Sequence, residues 1–159
     1  MPPLPKRTNP YYVAQDILSR RDHSEFELRT KMRRKKFSPA EIDDAVAKLK
    51  KLNLINDQNF ASMFIENTLL FKSVGPKYLA HKLKQKGLMS SLIEAALAAA
   101  FTPGREVKLA SQAATAWGRT HHPKNTDRNE SKKYQQRLIR LLAARGFSFS
   151  VIQSVTNKQ

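Results

Sequence analysis

Glu25–Ile42 reads EFELRTKMRRKKFSPAEI, and its pattern returns as PKYLAHKLKQKGLMSSLI over Pro76–Ile93 and as QQRLIRLLAARGFSFSVI over Gln135–Ile152. Leu28, Met32, Phe37 and Ile42 fall on Leu79, Leu83, Leu88 and Ile93, then on Leu138, Leu142, Phe147 and Ile152, with offsets of 51 and 59 between copies. A spacing of four puts two side chains on one helix face. An apolar residue five further on, just past a turn, closes that helix hydrophobically before the next begins. Gly87 and Gly146 stand at the turn in copies two and three, where a left-handed residue ends a helix, while copy one has Lys36 there, a weaker stop.

Boundary residues extend each copy outward. Ser24 with Glu27 and Ser38 with Glu41 form capping boxes, and Pro39 suits a first helical turn. Gly75 with Pro76 opens the matching helix of copy two, Ser91 with Glu94 opens the one after it, and Ser148 matches Ser38 in copy three. Past the turn, Ile42, Ala45, Val46 and Leu49 return as Ile93, Ala96, Leu97 and Ala100. Ahead of each pair lies one more amphipathic segment, carrying Val13, Ala14, Ile17 and Leu18 in the first copy. Its counterparts carry Phe60, Ala61, Phe64 and Ile65 in the second, and Val107, Ala110, Ala113, Ala114 and Trp117 in the third. The fold expected is all-α, an elongated tandem array of three three-helix repeats. A flexible lead-in covers 1–10, and the repeats occupy 11–56, 57–101 and 102–159, the last interrupted by a polar loop over 118–130. Units this small bury little alone and lean on their neighbours along a line. Such a row has a radius of gyration above the ~15 Å of a compact globule of this length.

Composition narrows the function. Among 159 residues, Lys and Arg number 29 against 13 Asp and Glu, a net charge of +16. That surplus self-repels in a compact body and is relieved by a polyanion or an acidic protein surface. With no cysteine, disulfide frameworks and Cys-based zinc sites are excluded. The longest apolar stretch, Leu92–Phe101, contains Glu94 and falls well short of the ~20 residues a membrane span requires. The lead-in has no signal-peptide core. A cytoplasmic protein without a membrane segment is the expectation.

Three runs carry a resemblance: Arg21-Asp22-His23-Ser24-Glu25-Phe26-Glu27-Leu28-Arg29, then Leu54-Ile55-Asn56-Asp57 leading to Phe60-Ala61, then Gly75-Pro76 through Leu79 and Leu83 to Lys86-Gly87. In combination they resemble the RecX family, regulators of the bacterial recombinase RecA, over roughly Tyr12 to Val155. Asn53 stands where that pattern has a glycine, Lys36 fills the glycine slot, and the 118–130 loop matches poorly. The resemblance implies a monomer of three tandem three-helix repeats lying along the groove of a RecA filament on single-stranded DNA. There it would inhibit the filament's ATPase, strand exchange and coprotease activities.

The residues themselves offer little catalytic chemistry. His23, His81, His121 and His122 form no metal-ligand motif, no glycine-rich phosphate loop occurs, and the one carboxylate cluster, Glu41, Asp43 and Asp44, sits in a helix's first turns, where it favours the dipole. No enzymatic activity, cofactor or metal is expected, and a small metal-dependent enzyme is the least favoured reading. Cations are denser: six of the eight residues from Arg29 to Lys36 are Lys or Arg, and the position before the turn is basic in every copy, as Lys35, Lys86 and Arg145. The repeats carry net charges of +6 over 1–56, +2 over 57–101 and +8 over 102–159. The outer units should therefore meet phosphate or acidic protein, with the middle one setting their separation. Candidate contacts to nucleic acid or filament are Arg29, Arg33, Arg34, Lys35, Lys82, Lys86, Lys132, Arg137, Arg140 and Arg145. Tyr11, Tyr12, Phe26, Tyr78 and Tyr134 could stack on bases, whereas Trp117 lies at core spacing. The alternative is a sequence-independent DNA- or RNA-binding helical protein that acts without RecA.

Overall fold

A computed structural model describes residues 9–121 and 127–157; the rest of the lead-in, the centre of the 118–130 loop and the last two residues lie outside it. The described residues form nine helices and no strand: α1 (Pro10–Arg20), α2 (Glu25–Arg34), α3 (Pro39–Lys51), α4 (Asp57–Phe71), α5 (Pro76–Gln85), α6 (Ser90–Ala100), α7 (Arg105–Gly118), α8 (Arg128–Ala144) and α9 (Phe149–Thr156). Extensive helix packing is confined to α1–α3, α4–α6 and α7–α9.

Each trio closes over its own core. Leu28, Met32, Ile42 and Leu49 meet Ala14 and Ile17 in the first; Leu79, Leu83, Leu88 and Ile93 meet Phe60 and Ile65 in the second; Leu138, Leu142, Phe147 and Ile152 meet Ala110 and Ala113 in the third. Of the recurring positions all are buried except Phe37, which packs half-buried against the first core.

The helix boundaries follow local chemistry. Ser24 and Ser38 each accept an N–H three residues on and are answered by Glu27 and Glu41, so both capping boxes form. The Ser91–Glu94 box does not: α6 starts at Ser90 after an N-cap at Met89, the position repeat-equivalent to Ser38, and Ser91 is inside the first turn. Helix α8 begins at Arg128 after Asp127, within the stretch read as a loop. At the turns, Gly87 and Gly146 have φ of 80°, and Lys36 adopts the same left-handed conformation at 65° despite its Cβ. Asn53, at 54°, likewise occupies the conformation for which a glycine was expected.

Neighbouring units meet through one repeated joint, in which the start of the middle helix of one unit rests on the turn after the middle helix of the next. At the first joint Ser24 Oγ donates to the Lys86 carbonyl at 2.6 Å, and the Phe26 ring lies against Gly87. At the second joint Gly75 N–H donates to the Arg145 carbonyl at 2.8 Å, Lys77 N–H donates to the Gly146 carbonyl at 3.1 Å, and Tyr78 lies against Gly146. Ser24 and Gly75 are equivalent positions. The turn glycines thus serve twice, supplying φ > 0 and leaving space for an incoming helix. Among the described residues no helix start is seated on the Lys36 turn, where a side chain is present.

Candidate nucleic-acid interface

The predicted cations divide into those held inside the protein and those facing outward. Arg29 is the most engaged. Its Nε donates to Glu25 Oε1 at 2.8 Å and its Nη1 to Asp43 Oδ1 at 2.5 Å, and the hydrogen bond to Asp43 raises the guanidinium pKa. Arg29 therefore ties α2 to α3. Lys86 reaches across the first joint to Glu27 Oε1 at 2.9 Å and lies over the Phe60 and Phe64 rings. Lys82 lies 5.7 Å from the Tyr78 ring centroid. Arg145, half-buried, lends its carbonyl to the second joint.

Arg33, Arg34 and Lys35, at the C-terminal end of α2, are exposed and form no ion pair among the described residues. They also favour the negative end of the helix dipole, a contribution of only ~0.3–1 kcal/mol each. Arg34 and Lys35 share a shallow recess of about 260 Å³ with Arg20 and Lys31, against which Asp16 supplies one carboxylate, already bound to Arg20 at 3.1 Å. Neither Arg20 nor Lys31 was a candidate on sequence grounds. Arg20 closes α1, and only the packing of α1 on α2 brings it to the strip.

Lys31 also bears on His23, whose ring is buried. His23 Nδ1 lies 2.8 Å from the Arg21 carbonyl and Nε2 lies 2.7 Å from Lys31 Nζ. The tautomer with hydrogen on Nδ1 satisfies both, donating to the carbonyl and accepting from the ammonium. Burial lowers the imidazole pKa, more than the Arg21 carbonyl raises it, and the charges of Arg21 and Lys31 lower it further. His23 is thus a neutral strut behind the basic strip.

On the third unit, Lys132, Arg137 and Arg140 are exposed along α8 and form no ion pair among the described residues, while Lys133 pairs with Glu130 at 3.0 Å. Lys132 and Arg140 are eight residues apart and share a stripe, with Arg137 beside it, opposite the buried Leu138 and Leu142. Trp117 packs half-buried against the third core and stacks on His121 at 4.7 Å and Tyr134 at 4.9 Å. Among the other aromatics, Tyr12 is exposed, Tyr11 accepts from Gln15 at 3.1 Å, and Phe26 belongs to the first joint. Of the candidate cations, those that face outward without an ion pair are thus at the α2 end of the first unit and along α8 of the third.

Among the described residues no group of three or more His, Cys, Asp or Glu could hold a metal ion. Glu41 caps α3 and Asp43 binds Arg29, so two members of the carboxylate cluster have structural duties. His122 lies outside the described residues. No described helix is long and apolar enough to cross a membrane.

Three helical units in series, joined turn to helix start and basic at both ends, define a tandem three-helix repeat protein. Comparison with known proteins places it more narrowly. Residues 11–49, 56–97 and 110–156 match the family models for the first, second and third three-helix domains of RecX, and the chain belongs to the RecX family. The regulatory protein RecX of Leuconostoc mesenteroides is 27% identical over 146 residues, covering 92% of this chain and 52% of its own. That of Haemophilus influenzae is 40% identical over 83 residues, covering 52% and 54%. The chain therefore spans about half the length of these two relatives. The crystal structure of RecX from Lactobacillus salivarius superposes with a TM-score of 0.80 at 26% identity, covering 94% of this chain and 93% of that one.

Proposed function

We propose that this protein binds the RecA filament on DNA and inhibits its ATPase, strand exchange and coprotease activities. Membership of a family whose relatives are named regulatory proteins supports this reading, and the single observation that carries it here is the clustering of exposed cations at the C-terminal end of α2 and along α8, on the two outer units of a serial array. In this reading the units 11–56, 57–101 and 102–159 span neighbouring protomers of one filament. Arg33, Arg34 and Lys35 at one end, and Lys132, Arg137 and Arg140 at the other, meet phosphate or acidic protein and contact single-stranded DNA directly. The protein acts as a cytoplasmic monomer, by binding rather than catalysis and without cofactor. Inhibition then follows from tighter association with one filament state than with another, which holds the filament against the rearrangements of ATP turnover.

The test is DNA-dependent ATP hydrolysis by RecA at fixed DNA, titrated with this protein. Inhibition below one copy per DNA site supports filament binding. Loss of all effect when excess free DNA is added supports the alternative, a plain DNA or RNA binder. Neutralisation of about six phosphates gives direct DNA binding a log–log salt slope of about −4 to −5, and a flat response removes the phosphate contacts. Reversing Arg33, Arg34 and Lys35 to Glu weakens inhibition and leaves helix content unchanged, because none of the three is in the core; undiminished inhibition would exclude this face. Arg29 is left intact in that variant because it holds Glu25 and Asp43.

A further inference from the structure

The middle unit, the least charged of the three, carries a cleft of about 810 Å³ between α4 and α5, with Arg21, Asp22 and Glu27 of the first unit also contributing to its lining. Its α4 wall is apolar. Phe60 and Phe64 stack at 6.1 Å in the floor, and Met63 and Phe71 stand beside them on the open side, 49% and 86% exposed. A phenylalanine that far from burial, one residue from an equally open Leu70 at 75%, contributes nothing to the second core. The α5 wall supplies cations: Lys82 lies over Tyr78, and Lys86 lies 5.3 Å from the Phe64 centroid. Lys72, the C-cap of α4, adds an exposed ammonium to the lining.

We propose that this cleft docks an acidic protein segment bearing a large apolar side chain. Three features select that occupant. Of the charged groups that line the cleft, Glu27 is paired with Arg21 and Lys86, which leaves Lys72 and Lys82 against the single carboxylate Asp22. Ammonium groups lie over the rings of Phe60, Phe64 and Tyr78, so those faces are taken as far as a stacking nucleobase is concerned. What stays open is the flexible thioether of Met63 and the ring of Phe71, an adaptable apolar seat within reach of cations that can meet carboxylates. A volume of this size accommodates a few side chains of an extended or helical peptide. The inference does not depend on the filament reading, because the cleft lies apart from the outward cations of α2 and α8.

Fluorescence anisotropy on the full chain tests it. The probe is a labelled peptide of on the order of ten residues, alternating Asp or Glu with Phe and Leu. Its control has Asn and Gln in place of the acids, and a second probe is labelled oligo-dT of equal length. The acidic peptide binds and the amide control does not. Phe71→Ser, at a position exposed enough to spare the fold, weakens peptide binding roughly tenfold or more, Lys72→Glu weakens it comparably, and oligo-dT binding is unchanged by Phe71→Ser. Equal binding of the amide peptide, or an undiminished affinity in Phe71→Ser, overturns the proposal. Loss of oligo-dT binding in Phe71→Ser would make the cleft a nucleic-acid seat instead. A dimer dissolved by Phe71→Ser in sedimentation would make it a contact between two copies.

Discussion

The two joints between units share a geometry and differ in what makes it. At the first, side chains do the joining: Ser24 Oγ on the Lys86 carbonyl, Asp57 Oδ1 accepting from Glu25 N–H at 2.8 Å, and Glu27 between Arg21 and Lys86. At the second, two main-chain N–H groups meet two carbonyls, Leu69 and Phe101 pack against both adjoining cores, and Arg105 grips Glu66 with two hydrogen bonds at 2.9 and 2.7 Å. One is a polar hinge whose strength depends on ionisation, the other a backbone and apolar weld in which Glu66–Arg105 is the exposed exception. The expectation is that the first unit reorients more readily than the third, which main-chain and apolar contacts hold to the second. For a body that spans repeated sites on a polymer, a soft joint beside a stiff one lets a single end adjust its register.

The glycines give the largest expected break in that contrast. A Cβ on Gly146 would lie closer than 3.0 Å to the Tyr78 main chain, which has little room to retreat, and would also have to adopt φ of 80°. Gly146→Ala should destabilise by about 3 kcal/mol, adding left-handed strain to overpacking. Gly87→Ala carries the same strain, and its Cβ would lie within 3.0 Å of Phe26 Cβ and Cγ, which no rotation of the ring relieves fully; with no main-chain atom among its nearest contacts, about 2 kcal/mol is expected. Urea unfolding of the two variants measures the gap; equal losses would show the joints to be equivalent.

Next in size is the pair at the first joint. Lys86→Met keeps the packing over Phe60 and Phe64 and leaves the half-buried Glu27 carboxylate with Arg21 alone, which should cost about 1 kcal/mol. Acid should do the same without mutation. Burial would raise the Glu27 carboxyl, but the hydrogen bonds and charges of Arg21 and Lys86 overcome this and bring its pKa to about 2, below the usual 4.5. Its contribution is thus complete above pH 4.5 and is lost as pH falls towards 2. His23, lowered from 6.5, acts in the same sense, disfavouring the folded state once pH falls below its ordinary value and the unfolded chain takes up the proton. At the second joint the titrating pair among the described residues is Glu66–Arg105, where Arg105 lowers the carboxyl pKa but the carboxylate is exposed and screened. Hydrogen exchange from pH 7 to pH 3 should therefore show α1–α3 losing protection before α4–α9, and simultaneous loss would refute the contrast.

The smallest effect concerns the unused turn. Lys36→Gly removes left-handed strain of about 1–2 kcal/mol and adds unfolded-state entropy of about 0.5–1 kcal/mol, leaving a gain of roughly 0.5 kcal/mol in the denaturation midpoint. A loss instead would mean that the Lys36 side chain makes a contact of its own.

Much of this was legible in the chain. The 4, 5, 5 spacing of Leu28, Met32, Phe37 and Ile42 and its two returns identify the paired helices, the turn between them and the centre of each core, because helix periodicity and capping are local properties. Ser91 misled because a Ser-x-x-Glu run is also compatible with the interior of a first turn, and the packing of Ile93 placed the cap at Met89. The candidate interface was legible as a list of cations, without a way to separate them. Whether Arg29 faces solvent or Asp43, and whether Lys86 faces a partner or Glu27, depends on residues 14 and 59 positions away.

Periodicity, capping and charge content thus determined by themselves that the chain makes three short helical bundles and that it is basic, since each rests on interactions within a few turns of backbone. Which cations remain unpaired, which joint is polar, and that α4 and α5 enclose an apolar cleft were decided only when the units packed. A charge or an apolar surface is neutralised or left open by whatever lies beside it in space, and residues remote in sequence become neighbours only in the assembled array.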